Sequence, residues 1–323
     1  MKKQASKVIV TMAMLSLGVC SLANPVQAQN NSVVNIANIS MSKKIPHKRL
    51  PNSGTNPTSS TTSTTNVTLP QGTQESENWA GYAVASSSEV YTSVTGQWTV
   101  PTITSSNKNA VASQWIGLGG VTSDDLLQMG TIEEFQGSKQ VNEVFWEKLP
   151  ATSRNVMTVP AGAVISATIS KKTSSSKSTS STWNLSFEIN GKASKSTISP
   201  VTLNAQYAAG IGTSAEWISE DPSNANGQLY QLANMGTISY TNAKANGAAI
   251  NASGNTVEPI DLVSKSDSVL LVPSALDSTG TSFTTSPPTT TSSSTTSSSS
   301  SGSKISAKTN AANEESIRNI FGW

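Results

Sequence analysis

Apolar and polar residues alternate along two stretches in the middle of the chain, residues 164–170 and 183–189. A period of two is the pattern of a β-strand that buries one face and exposes the other. The second stretch ends at Asn190-Gly191, a pair that favours a tight two-residue hairpin turn. Further strands of this kind are predicted within residues 90–100, 140–147, 236–241 and 268–272. No segment of this region shows the 3.6-residue apolar period of a helix.

The domain that these strands predict spans residues 76–277 and is all-β. Many short strands with one polar face each favour two packed antiparallel sheets. The expected fold is therefore a single β-sandwich of two large antiparallel sheets, jelly-roll-like or lectin-like. A length of about 200 residues is acceptable for one such domain.

The segments on either side of this domain are not expected to fold with it. Residues 1–28 have a basic start, an apolar run and a small-residue cleavage site, which is the pattern of a secretory signal peptide. Residues 29–75 are polar and basic and read as a pro-segment or linker. Residues 278–303 form a Ser/Thr-rich low-complexity linker, and residues 304–323 form a C-terminal tail. The sequence predicts a secreted protein with disordered flanks and no membrane attachment after signal removal.

Charge is divided between the leader and the domain. Residues 75–277 contain 17 Asp and Glu against 11 Lys and Arg, a net charge of −6. An acidic domain is a poor partner for nucleic acid. The preceding segment carries Lys43, Lys44, Lys48 and Arg49. This basic leader suggests an internal electrostatic partner, with the pro-segment held over an acidic cleft as an intramolecular inhibitor.

The chain has one histidine and one cysteine, and both lie outside the predicted domain. His47 falls in the basic leader and Cys20 in the signal peptide. The domain therefore cannot build a Ser-His-Asp triad, a Cys-His pair or a metal site with histidine or cysteine ligands. Any hydrolytic chemistry must use carboxylates, amides, hydroxyls or lysines, and no metal or cofactor is expected.

Carboxylates are sparse in the domain but cluster around Trp217. Glu216, Glu220 and Asp221 all lie within residues 215–221. A strict period of two places Glu216 on the face of Glu220 with Trp217 opposite, whereas a bulge would reverse this. The stretch fits a catalytic centre, and equally a half-buried strand whose acids face water.

Other segments carry comparable groups. Trp115 precedes several glycines, and Gln128 stands between apolar neighbours. Glu143 and Glu147 fall on one face of a strand-like run. Each segment alone also fits a structural role, because tryptophans fill cores and a buried amide can be satisfied by its neighbours.

Together these segments resemble the glutamic peptidases, the eqolisin family. The similarity covers about residues 76–245 and rests on five short motifs that occur in the family's order. They are Asn78-Trp79-Ala80-Gly81, Trp115-Ile116-Gly117, Leu127-Gln128-Met129-Gly130, Trp146-Glu147 and Ala215-Glu216-Trp217-Ile218-Ser219-Glu220-Asp221.

The resemblance implies a secreted β-sandwich endopeptidase that acts at acid pH on polypeptide substrates. The family's catalytic glutamine matches Gln128, and its catalytic glutamate matches Glu220. The residues expected to line the cleft or support this pair are Trp115, Glu147, Glu143, Trp79, Glu216 and Asp221. The chain is expected to be a monomer and a bacterial-type member without disulfides.

The chain departs from the better-known fungal members at two acidic positions. Gly119 stands where they have an aspartate, and Ile132 stands where they have another, four residues after the glutamine. The acidic network around the pair is therefore expected to be thinner, with a shifted acid optimum.

Two other functions remain open on the residues alone. Exposed tryptophans and a Ser/Thr-rich stalk also suit a non-enzymatic sugar-binding or adhesive β-sandwich. A pair drawn from Glu143, Glu147 and Glu220 would also suit a glycosidase that works with two carboxylates.

Overall fold

The computed structural model describes residues 39–40, 68–173, 179–194, 198–224 and 226–289. The predicted signal peptide, most of the basic leader, the hydroxyl run from residue 290 and the C-terminal tail lie outside these residues. His47 and Cys20 lie outside them as well.

The described residues form one helix and a series of strands. The strands are β1 (Ile39–Ser40), β2 (Gln74–Ser76), β3 (Trp79–Ala85), β4 (Ser93–Thr99), β5 (Val111–Gly119), β6 (Leu126–Gln136), β7 (Lys139–Lys148), β8 (Arg154–Thr158), β9 (Val164–Lys171), β10 (Ser180–Ile189), β11 (Lys192–Ala193), β12 (Val201–Asn204), β13 (Ser214–Glu220), β14 (Ser223–Asn224), β15 (Ile238–Ala245), β16 (Ala248–Ala249), β17 (Thr256–Val263), β18 (Val269–Pro273) and β19 (Phe283–Ser286). The helix is α1 (Ala205–Ile211).

Two large antiparallel sheets make up the fold, as the alternating pattern predicts. The first runs β8–β7–β6–β5–β13–β3–β17, and β18 follows β17. The second runs β12–β10–β9–β4–β15. At one edge β19 pairs with both β15 and β18 and so connects the two sheets. The short β2 is the exception in direction, because it pairs with β17 in parallel.

The main core lies between the two sheets and is rich in aromatic side chains. Trp98, Trp183, Trp217 and Tyr240 are among its largest fully buried members. The indole N–H of Trp217 donates to Thr95 O at 2.6 Å, so the polar edge of this ring is satisfied across the sandwich. This core fixes the inner face of the first sheet.

A second apolar cluster covers the outer face of the first sheet. Its members are Trp79, Ala83, Val111, Trp115, Leu126, Ile132, Phe145, Ile218 and Ile260. The central strands are therefore buried on both faces, and every residue of β5 and of β13 is buried. A polar side chain on this outer face is consequently held in an apolar surrounding, which favours unusual proton affinities.

The predicted strands are confirmed, and so is the hairpin. β10 and β11 are joined by Asn190-Gly191, whose φ angles of 53° and 71° are the positive values that a type I′ turn requires. The last strand, β19, lies within the range 278–303 that composition assigned to a linker. No helix within the described ranges is long and apolar enough to span a bilayer.

The expectation of no helix in the domain was wrong at α1. This helix has only seven residues, so its apolar period is too short to read from the sequence. The side chain of Asn204 caps it by accepting from Tyr207 N at 2.8 Å. α1 leads directly into β13 and packs beside the loop that precedes β6.

Candidate active site

Strand β13 carries Glu220 on the outer face of the first sheet. Its pairing with β3 runs without a register shift from Ser214 to Glu220, so the period of two is unbroken. Glu216 and Glu220 therefore share the outer face, and Trp217 points into the core between the sheets. Of the two arrangements that the sequence allowed, the structure has the one without a bulge.

The Glu220 carboxyl group receives three side-chain N–H donors. Trp115 Nε1 donates to Oε2 at 2.7 Å, while Trp79 Nε1 and Asn78 Nδ2 donate to Oε1 at 3.3 Å each. The two indole rings also meet edge to face, with centroids 5.0 Å apart. The carboxyl group is thus held in one orientation by two strands, β3 and β5, that flank β13.

Opposing effects act on the proton affinity of Glu220. Burial raises its pKa well above the ordinary value, and the charges of Glu147 and Asp221 raise it further. The hydrogen bonds from Trp115 and Trp79 oppose this rise by favouring the carboxylate. Glu220 is therefore a carboxyl group that can both hold and release a proton.

Gln128 lies on β6 and is fixed by its neighbour on β7. The two residues pair directly in the sheet, and Gln128 Nε2 donates to Glu147 Oε2 at 2.7 Å. Because a carboxylate only accepts, this contact decides which end of the amide is the NH₂ group. The second N–H of this NH₂ group remains to donate elsewhere, and Gln128 Oε1 accepts no hydrogen bond from the described residues.

Strand β5 lies between Gln128 on β6 and Glu220 on β13. Gln128 is opposite Gly117, and Glu220 is opposite Ser113. Trp115 sits midway between these two positions on the same face and reaches Glu220 with its indole N–H. Glu220, Trp115 and Gln128 therefore lie on a diagonal across the neighbouring strands β13, β5 and β6. Glu147 on β7 lies beyond Gln128.

Glu143 lies on the same face of β7 as Glu147, as predicted. It is opposite Ile132 on β6, and burial raises its pKa. Ile132 belongs to the outer apolar cluster and lies between Glu143 on β7 and Ser113 on β5. The chain therefore has an apolar side chain at this position instead of an acid.

The other position that lacks an acid, Gly119, has no room for a side chain. Its φ is +88°, and a Cβ atom there would collide with Asp125 O and approach Ile211 Cα of α1 to 2.8 Å. The departure at Gly119 is therefore built into the backbone and the helix that covers it.

Glu216 and Asp221 occupy different surroundings from Glu220. Both oxygens of Glu216 and Oδ1 of Asp221 are buried and lack a hydrogen-bond partner among the described residues. Burial raises the pKa of both carboxyl groups well above their ordinary values. The backbone N–H of Asp221 donates to Asn78 O at 2.8 Å, which ties the end of β13 to the start of β3.

Sequence reasoning missed one residue that contacts Glu220 and two buried glutamates on β6. Asn78, quoted only as part of a motif, contacts Glu220 directly. Glu134 extends the outer face of β6, and burial raises its pKa to about 7. Glu133 points into the core between the sheets, where burial raises its pKa to about 8. Only the adjacent pair of acids in an otherwise acid-poor strand could have drawn attention to these two glutamates.

No group of three His, Cys, Asp or Glu side chains in the described part of the chain is placed to hold a metal ion. The chemical resources of this site are a carboxyl group with three donors, an oriented amide and a second carboxyl group.

Comparison with known proteins identifies the family of this chain. The model of the Peptidase A4 family matches residues 77–285. Aspergillopepsin-2 from Aspergillus niger is 27% identical over 208 residues, which are 58% of this chain and 68% of that protein. The crystal structure of scytalido-glutamic peptidase with a transition state analog inhibitor has a TM-score of 0.50 at 19% identity, covers 65% of this chain and 98% of that one, and shares the fold. Because the family match takes in most of the chain, this protein belongs to the Peptidase A4 family and is a glutamic endopeptidase.

Proposed function

We propose that this endopeptidase is secreted and cleaves peptide bonds at acid pH with Gln128 and Glu220 as its catalytic pair. The observation that carries the proposal is the Glu220 carboxyl group, held by three N–H donors in a buried apolar face while Glu147 orients the amide of Gln128. Such an arrangement provides a base of fixed orientation and an aimed donor, which are the two groups that water-mediated amide hydrolysis needs.

Hydrolysis proceeds without a covalent intermediate. Glu220 as carboxylate takes a proton from a water molecule held between it and Gln128, and the resulting hydroxide attacks the scissile carbonyl carbon. The free N–H of Gln128 donates to the oxyanion, a contribution typically worth about 3 kcal/mol. Protonated Glu220 then gives its proton to the leaving nitrogen, so that the C–N bond breaks and the carboxylate is restored.

Sharing of protons among the buried carboxyl groups sets the pH limits of activity. The donors around Glu220 favour placing a negative charge there, while Asp221 lacks a donor to Oδ1 and burial raises its pKa well above the ordinary value. Protonation of Glu220 ends activity at low pH, and a second ionisation nearby ends it at higher pH. The two limits belong to the coupled group rather than to single residues.

The basic leader acts as an intramolecular inhibitor in this proposal. β1 pairs antiparallel with β14, which begins two residues after Asp221. The pairing brings this part of the leader close in space to the chain that follows the proposed catalytic glutamate. Adding a synthetic peptide of residues 29–75 to the active enzyme tests the inhibitor. Inhibition that weakens as pH falls is expected, and no inhibition at any pH would exclude this role.

Cleavage of casein or a peptide tests the catalytic pair, measured from about pH 3, where ordinary carboxyl groups titrate, to about pH 7, where carboxyl groups of raised pKa titrate. Gln128→Ala and Glu220→Gln are each expected to abolish cleavage while the circular dichroism spectrum stays native. Glu133→Gln is the matched control, because Glu133 is equally buried but points to the opposite face of the same sheet. A folded Glu220→Gln enzyme with full activity would overturn the proposal.

A further inference from the structure

Asn78 is the one donor to Glu220 that is neither an indole nor part of a regular strand. It precedes β3 by one residue and is 3% exposed. Its Nδ2 donates to Glu220 Oε1, and its backbone carbonyl accepts from Asp221 N. One residue therefore holds both the side chain of Glu220 and the backbone of the residue after it.

Ser76 determines the direction in which the Asn78 amide points. The Ser76 hydroxyl oxygen accepts from the backbone N–H groups of Asn78 at 3.3 Å and of Trp79 at 3.1 Å. Its single hydrogen is then left to donate to Asn78 Oδ1, 3.1 Å away. Since Oδ1 must accept, the NH₂ group of Asn78 is the end that faces Glu220.

Ser76 is itself fixed by the sheet. It ends β2 and is paired in parallel with Leu262 of β17, and it is fully buried. Hydrogen bonds therefore run without interruption from Ser76 in the sheet through Asn78 to the Glu220 carboxyl group.

We infer that Asn78 is a positioning residue of the catalytic reaction, which orients Glu220 and favours its carboxylate form, and that Ser76 locks Asn78 in the donating orientation. This inference rests on the proposed role of Glu220. The groups whose charges act on Glu220 are Glu147 from β7 and Asp221 at the end of β13. Both charges disfavour the carboxylate form of Glu220. The neutral amide of Asn78 has the opposite effect, because it donates a hydrogen bond to that carboxylate.

The test is the pH dependence of kcat/KM, whose acid limb reports the pKa of the base in the free enzyme. Asn78→Ala is expected to lower kcat/KM about tenfold and to move the acid limb up by about one pH unit, since a hydrogen bond to a charged group is lost. KM is expected to change little. Ser76→Ala is expected to move the limb in the same direction by a smaller amount.

Asn78→Asp sharpens the test because the introduced carboxyl group can donate only while protonated. Its activity is expected to approach that of the parent enzyme at the lowest pH and to fall below that of Asn78→Ala as pH rises.

Asn142→Ala is the matched control. Asn142 is 5% exposed and donates to Val159 O, so its loss also removes a buried amide, but it does not contact Glu220. An acid limb that stays in place in Asn78→Ala and Ser76→Ala, or that moves equally in Asn142→Ala, would overturn the inference. Glu220→Gln measured alongside separates the two ideas: if it is active, the proposed function fails, and if it is inactive while the limb stays in place, only the role of Asn78 fails.

Discussion

Two glutamates on one strand differ in how their buried carboxyl groups are held. Glu216 and Glu220 lie on the same face of β13, with Ile218 between them on that face. Both side chains are at most 1% exposed. Glu220 receives three N–H donors, whereas the two oxygens of Glu216 receive none from the described residues.

The difference comes from the neighbouring strands rather than from β13 itself. Glu216 is opposite Ala83 on β3 and Gly117 on β5, which have no side-chain donors. Glu220 is opposite Trp79 and lies next to Trp115. Burial alone favours the protonated form of a carboxyl group. Fixed hydrogen-bond donors favour the carboxylate, which is the form that can act as a base. Burial remains the dominant effect on the pKa of Glu216, which the Ser214 hydroxyl lowers and the charge of Glu258 raises.

Removing the shortest donor should make Glu220 resemble Glu216. Trp115→Phe is expected to lower kcat/KM by about 10², the loss typical of removing one donor that acts on a charge in the site. The acid limb should move to higher pH, which steady-state kinetics across pH will measure. Trp183→Phe, which loses an indole donor to Ser181 in the second sheet, is the control. Equal losses in both variants would assign the effect to packing.

Removing the uncompensated carboxyl group should change stability rather than catalysis. The folded pKa of Glu216 lies above the unfolded value of 4.5, so its proton is bound in both states below that pH. As pH rises, the unfolded chain releases the proton first, and folding stability falls until the folded pKa is reached. In the parent protein this carboxyl group makes the unfolding free energy fall by about 1.4 kcal/mol per pH unit above pH 5. Glu216→Gln is expected to remove that part of the fall.

Urea unfolding at several pH values measures this slope. Burial raises the pKa of Glu133 to about 8, so Glu133→Gln should remove a similar fall in stability. That fall is expected between pH 4.5 and about 8. An unchanged slope in Glu216→Gln would show that this carboxyl group is ionised in the folded protein.

Crowding the space between Trp115 and Glu216 should affect both stability and activity. A Cβ atom at Gly117 would lie 2.8 Å from the Trp115 ring and 3.3 Å from Glu216 Oε2. Gly117→Ala is expected to cost about 1–3 kcal/mol through overpacking and to reduce activity by displacing the indole from Glu220. Thermal unfolding and peptide cleavage check the two parts. Unaltered stability would mean that the rings can move aside.

The sequence predicted the sandwich because the second sheet alternates plainly, as in Val164–Lys171 with its inward Ile165, Ala167 and Ile169. It could not predict the face of Glu216, because every residue of β13 is buried and burial carries no period there. The unbroken register with β3 decides it.

The site was predicted through motifs rather than through contacts. The site residues come from four different strands, and only the order of strands in the sheet brings them onto one face. They are Gln128 on β6, Glu147 on β7, Trp115 on β5 and Glu220 on β13. The role of Asn78 depends on Ser76, two residues earlier in a strand too short to predict. Family membership, meanwhile, decides against the sugar-binding and glycosidase interpretations.

The most direct measurement is kcat/KM for one peptide, at the pH where the parent enzyme is most active, with Glu220→Gln and Glu216→Gln side by side. Glu220→Gln is expected to lose at least about 10³-fold, since it removes both the base and the later acid. Glu216→Gln is expected to keep most of its activity. A folded Glu220→Gln enzyme that cleaves as well as Glu216→Gln would contradict the assignment of the chemistry to Glu220.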